Sequence, residues 1–141
     1  MKWQELSATS HYQTAVAVEQ ALEQGDIPEA KAGIQELVDA LARAEKRALR
    51  SQLTRLMMHV IKWKTQPERR SHSWRATINS ARREIEEIQE ETPSLNRAVV
   101  ESIWDKCLKA AREDAEGEMG KKPAVTKLTW KEVFEKEYEV E

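Results

Sequence analysis

The chain has 141 residues, 34% of them charged and 6% aromatic, with one cysteine, four glycines and four prolines. One cysteine excludes an internal disulfide and fits a reducing cytosol, and so few helix breakers among much Ala, Leu, Glu, Lys and Arg favour long helices over sheets. Net charge is −2, but the distribution is uneven: Arg43 to Arg83 carries +10 and the remainder −12. Such a band attracts a polyanion, or is neutralised by the chain's own acidic segments in the same fold or in a second subunit. No apolar run approaches the ~20 residues that cross a bilayer. The start, MKWQELSATSHYQ, lacks the continuous apolar stretch of a secretory leader. The length predicts a single helical domain over residues 1–141, and the lone cysteine predicts a cytoplasmic location.

In chain order, a first helix is expected over about His11 to Gln24, ended by Gly25. A second begins near Pro28, a residue suited to a helix's first turn. Its apolar positions Ile34, Leu37, Val38 and Leu41 have helical spacing. Leu49, Leu53, Leu56, Val60 and Trp63 carry a second stripe onward. The result is one long helix to about Thr65, or two helices with a joint at Ala42 to Glu45. Pro67 ends the run, because the residue before proline disfavours helical geometry.

The next helix carries Trp74, Ile78, Ala81, Ile85 and Ile88, the 4-3-4-3 stripe of an antiparallel bundle partner. Thr92, Pro93 and Ser94 supply a stop and a new cap. The helix from about Ser94 to Ala115 is apolar over more than half its circumference and is expected to be the most central. Gly117, Gly120 and Pro123 mark a loop near 117–128. Thr129 with Glu132 three residues on reads as a capping box, opening a short last helix from Trp130 to about Glu137. The fold class is therefore all-α: a bundle of four or five helices with a long central helix and a helical hairpin turning near residues 65–70.

Metal and nucleophile signatures are lacking. His11, His59 and His72 have no i,i+4 spacing, and there is no HExxH, CxxC or second cysteine. Cys107 lies among apolar residues and reads as a buried thiol. Four scattered glycines make no phosphate loop. Arg55 and His59, four apart, share a helix face, an arrangement a helical nuclease uses, but no supporting motif accompanies them. No catalytic residue, metal or cofactor is assigned.

The densest segment is Leu56 to Ile78. His59, Lys62, Gln66, Arg69, Arg70 and Arg75 form a candidate ligand-binding patch around a structural hairpin of Trp63, Pro67 and Trp74. Arginines there can grip a phosphate or carboxylate with paired hydrogen bonds. The competing structural reading has the tryptophans packing as core across the hairpin while Arg69 and Arg70 cap carbonyls at the helix end or pair with acidic side chains. The structural reading is favoured.

The same stretch resembles the signature of a bacterial family catalogued as domain of unknown function 29. The residues that carry the resemblance are Leu56, Met58, His59, Lys62-Trp63, Gln66-Pro67-Glu68-Arg69-Arg70, Ser73-Trp74-Arg75 and Thr77-Ile78. Weaker similarity covers Glu45 to Leu49, Pro93-Ser94-Leu95, and Trp130, Val133, Glu137 and Tyr138. The resemblance implies an all-helical fold and no assigned activity. Ala42 and Ala44 stand where members often carry Gly and Ser, which favours a continuous helix here. Tyr12 stands for the family's N-terminal aromatic anchor.

The leading functional expectation is a small non-enzymatic interaction or regulatory module with an unknown protein partner. A nucleic-acid-associated role, toxin–antitoxin-like for instance, follows on the +10 band. It is not favoured, because the basic residues Arg43, Lys46, Arg47, Arg50, Arg55, Lys62 and Lys64 surround their helix instead of lining one face. A hydrolase or nuclease using His59 comes last. A homodimer is an option, since the oppositely charged regions can pair between subunits.

Overall fold

The computed structural model describes residues 2–141. Its α-helices are α1 (Trp3–Thr9), α2 (His11–Glu23), α3 (Ile27–Thr65), α4 (His72–Glu91), α5 (Arg97–Ser102) and α6 (Trp104–Met119). A 3-10 turn, Pro67–Arg69, joins α3 to α4, and a π-helical turn, Lys131–Glu135, lies near the C-terminus. There is no strand among the described residues. No helix there is long and apolar enough to cross a membrane. The chain divides into two compact units, Met1–Arg47 and Ala48–Glu141, and α3 contributes to both.

Helix α3 runs 39 residues without interruption. Ala42 and Ala44 sit inside it, so no joint forms at Ala42 to Glu45; alanine is the best helix former and no Gly or Pro interrupts the segment. Asp26 opens α3 by accepting the Glu29 N–H at 3.2 Å, the expected role of a cap carboxylate.

In the first unit, α1 was not foreseen from the sequence. It is short, and Trp3 is its anchor: the ring is buried and the indole N–H donates to Glu29 Oε1 at 2.7 Å. Tyr12, expected as the anchor, is instead exposed. Ser10 separates α1 from α2 with extended backbone, and its hydroxyl accepts the Gln13 N–H at 3.1 Å. The buried face of α3 here is made of small residues, Ala30, Gly33 and Ala40, and at Ala30 and Gly33 it lets Trp3 and Val18 approach closely. The larger residues Ile34, Val38 and Leu41 lie outside that face and are exposed.

The second unit is built on the other half of α3. Leu49, Leu53, Leu56, Met57, Val60 and Ile61 are fully buried. This segment, not the helix after Ser94, is the most buried stretch of the chain. Ile78, Ala81 and Ile85 of α4 meet it in one core, with Trp74 and Ile88 packed at the ends of the stripe. Helix α4 stops at Thr92 as expected, but the next cap is Asn96, whose side chain accepts the Val99 N–H at 3.2 Å. Ser94 lies outside because Leu95 turns inward and its N–H bonds Thr92 O at 2.9 Å. Ile103 divides the expected single helix into α5 and α6. There the Ser102 hydroxyl donates to the Val99 carbonyl at 2.6 Å and competes with the helical ladder. Helix α6 runs through Gly117 and ends at Gly120, which takes φ +74° and donates to the Glu116 carbonyl at 2.8 Å, a left-handed cap that glycine adopts without steric cost.

Candidate functional site

The hairpin between α3 and α4 places the six candidate residues in two groups. Ser71 caps α4 by accepting the Trp74 N–H at 3.1 Å, which fixes the first turn of α4 beside the last turns of α3.

The first group is His59 and Lys62. The carbonyl of Arg55 can only accept, so the imidazole Nδ1–H donates to it, at 2.9 Å, and the neutral ring carries its proton on Nδ1. The Arg55 guanidinium turns elsewhere, to Gln52 Oε1 at 3.1 Å and Ser80 Oγ at 3.4 Å. Burial lowers the His59 pKa below the ordinary histidine value, and nearby Lys62 and Arg55 act in the same direction; the Arg55 carbonyl bond and the Glu118 charge oppose them. A depressed histidine pKa means the unfolded chain binds the proton better. The stability it contributes is therefore complete above the ordinary histidine range and declines as pH falls through it toward the folded value.

Lys62 is 6% exposed. Its ammonium meets Glu118 Oε2 at 2.6 Å and lies 4.6 Å from the centre of the Trp74 ring. A buried ammonium needs such partners, because an unpaired one carries a desolvation penalty. Lys62→Met is therefore expected to change unfolding free energy by no more than about 1 kcal/mol, since methionine fills the buried place of the lysine and Glu118, 55% exposed, stays solvated. Glu118→Ala is expected to cost more, about 1–3 kcal/mol, because it strands the ammonium. Urea unfolding of the two variants checks the order. A larger loss for Lys62→Met would contradict the structural role.

The second group centres on Arg70. Its Nε donates to the Trp63 carbonyl at 2.8 Å, and its guanidinium carbon lies 5.3 Å from the Trp63 ring centre. This closes an orphan carbonyl at the α3 end. Trp63 itself is buried and meets Tyr138 edge-on at 5.5 Å. Trp74 is half-buried beneath Lys62. Gln66 and Pro67 form the turn, where the Gln66 carbonyl accepts the Arg69 N–H at 3.0 Å. Arg69 and Arg75 stand exposed.

Several residues outside the candidate patch complete this end of the unit. Glu132 accepts the Thr129 N–H at 2.9 Å while its own N–H donates to the Thr129 hydroxyl at 3.1 Å, so the capping box forms. The other Glu132 oxygen pairs with the Lys64 ammonium. Burial would raise the Glu132 carboxyl, but the Lys64 and Thr129 hydrogen bonds prevail and hold it below the usual range. The Glu132 carbonyl accepts the Tyr138 hydroxyl at 2.6 Å. Burial, with the Glu132 charge, pushes the Tyr138 phenol up to about 12. Arg82 of α4 donates to the Val133 carbonyl at 2.8 Å and the Glu132 carbonyl at 3.3 Å. Tyr138→Phe removes one of these bonds and is expected to cost about 1 kcal/mol, read by urea unfolding.

Cys107 is buried, its Sγ lies 3.7 Å from the Arg50 carbonyl, and burial pushes the thiol pKa up. Among the described residues, no group of three or more His, Cys, Asp or Glu is placed to hold a metal ion.

The fold and the hairpin define an all-α protein in which a tryptophan-flanked turn is held by Lys62, Arg70 and their partners. The chain belongs to the family described as Domain of unknown function DUF29, whose model matches residues 9–139. No curated protein and no solved structure matches the chain.

Proposed function

We propose that this chain is a non-enzymatic interaction module of a reducing, cytoplasmic compartment, and that its working surface lies on the first unit. One observation carries the reading: Ile34, Val38 and Leu41 of α3 are 46%, 54% and 43% exposed on one helix face. Large aliphatic residues stacked in this way mark a surface for protein contact. The hairpin residues His59, Lys62 and Arg70 serve the joint instead, since each is bonded within its own unit. The sole cysteine is compatible with a compartment that keeps thiols reduced.

Nucleic acid binding is the lesser reading. It rests on the +10 band, but Arg55, Lys62, Arg70 and Arg82 of that band already have partners. A photoreactive amino acid in place of Val38, irradiated in cells, is expected to give adducts with protein. The reading is contradicted if Val38 gives none while probes at Arg69 and Arg75 crosslink to RNA or DNA.

A further inference from the structure

The exposed face of α3 in the first unit has a spacing of its own. Ile27, Lys31, Ile34, Val38, Leu41 and Glu45 follow one another at intervals of 4, 3, 4, 3 and 4 residues. That is the seam of a coiled coil, in which one helix packs along another. All six residues lie within the first compact unit. The apolar members are exposed by between 43% and 54%, so the described residues of their own chain leave this face open. Lys31 is also exposed and Glu45 half-exposed.

The two charged members indicate what would cover the seam. Lys31 and Glu45 lie seven residues to either side of Val38, about 10 Å along the helix axis. A parallel pair of these helices would set Lys31 against Lys31 and Glu45 against Glu45, which is repulsive at both ends. An antiparallel pair with a two-fold axis near Val38 brings each Lys31 within about a helical turn of the other copy's Glu45. The axis makes this attraction twice, and Ile34, Val38 and Leu41 meet between the two ion pairs. Moving the axis by one residue leaves each lysine within a turn of its glutamate, so the charge match does not depend on one register.

We propose that the occupant of this face is a second copy of the same chain, running antiparallel across it. The proposal rests on the reading of the first unit as an interaction surface, and it names the partner. Aliphatic burial supplies the attraction, and the Lys31–Glu45 pairs select direction and reject misaligned partners. A seam of three aliphatic residues per copy is short, so association on the order of micromolar is expected.

Sedimentation equilibrium of the full chain from about 1 to 200 µM tests it. The wild type is expected to pass from monomer to dimer over this range. Lys31→Glu alone places glutamates opposite glutamates, and Glu45→Lys alone places lysines opposite lysines. Each is expected to weaken dimerisation about tenfold or more. Mixing the two single variants makes every cross-pair complementary, so the mixture is expected to associate better than either variant alone. Glu and Lys are both good helix formers, and circular dichroism confirms that the helix persists. If either variant loses helix, Val38→Gln reports the same dissociation.

A wild type that stays monomeric at every concentration overturns the proposal, as do single variants that dimerise like the wild type. If the wild type is monomeric while Val38 gives adducts with another protein in cells, the interaction reading stands and self-pairing falls. If Val38 gives no protein adduct and the wild type is monomeric, both fall.

Discussion

Arg82→Met is expected to remove about 2–4 kcal/mol from the stability of the second unit, among the largest losses for any residue that is not part of its apolar core. The guanidinium reaches from α4 to two successive carbonyls of the π-helical turn, at 2.8 Å on Val133 and 3.3 Å on Glu132. Each hydrogen bond from a charged donor contributes about 1.5–3 kcal/mol, discounted here because Arg82 is only half-buried. Burial lowers the Arg82 pKa, opposed by Tyr138 and Glu137; a guanidinium nonetheless keeps its charge in proteins. Methionine keeps the length of the stem and loses the donors, so both carbonyls lose the guanidinium and the Glu132 carbonyl keeps the Tyr138 hydroxyl. Urea unfolding gives the magnitude, and hydrogen exchange locates it. Protection is expected to drop over residues 128–140, the segment containing Val133 and Tyr138. Arg83→Met, one residue on and exposed, is the control and is expected to stay within about 0.5 kcal/mol of wild type. Equal effects at the two positions would refute the role assigned to Arg82.

Gly33→Val is expected to destabilise the first unit by about 3 kcal/mol or more, and Gly33→Ala by about 1–3 kcal/mol. The sign is opposite to the ordinary one, since alanine in a helix interior normally gains up to ~1 kcal/mol over glycine. The reason is space. A Cβ at residue 33 would lie 2.6 Å from Trp3 Cζ3 and 2.7 Å from Val18 Cγ2. Trp3 has little freedom to retreat, because its ring is buried and its indole N–H is held by Glu29. The substitution therefore displaces α1 or abandons that hydrogen bond. Exchange of the Trp3 indole N–H reads the loss directly. A Gly33→Ala variant more stable than wild type would show that α1 does not pack on α3 in solution.

Much of the architecture could be read from local chemistry. The continuity of α3 follows from alanine at residues 42 and 44, the hairpin from Pro67, the α4 stripe from its 4-3 spacing, and the Thr129–Glu132 box from two residues three apart. What escaped was set by distance along the chain or by competition within a turn. Trp3 gains its place only against Gly33 and Val18, so a short helix with one anchor gives no periodic signal. Asn96 displaces Ser94 as a cap because Leu95 turns into the core. The division at Ile103 depends on one hydroxyl, that of Ser102. For the hairpin, the residue types were visible but their partners were not: Glu118 for Lys62, Glu132 for Lys64, and Tyr138 for Trp63 come from far along the chain. The stripe of Ile34, Val38 and Leu41 was legible as spacing, but spacing does not say which face is buried. Ala30 and Gly33 took the inner face because they admit an indole ring.

We infer that His59, Lys62 and Arg70 hold the hairpin and bind no anion, and one titration tests this most directly. The ring protons of His59 are followed by NMR against pH, first in buffer without phosphate and then with inorganic phosphate added. The predicted midpoint lies below the ordinary value of 6.5, since burial disfavours the charged ring, and phosphate leaves it unchanged. A midpoint at or above the ordinary value, or one that rises on adding phosphate, would mean that an anion stabilises the protonated ring, and would contradict the account.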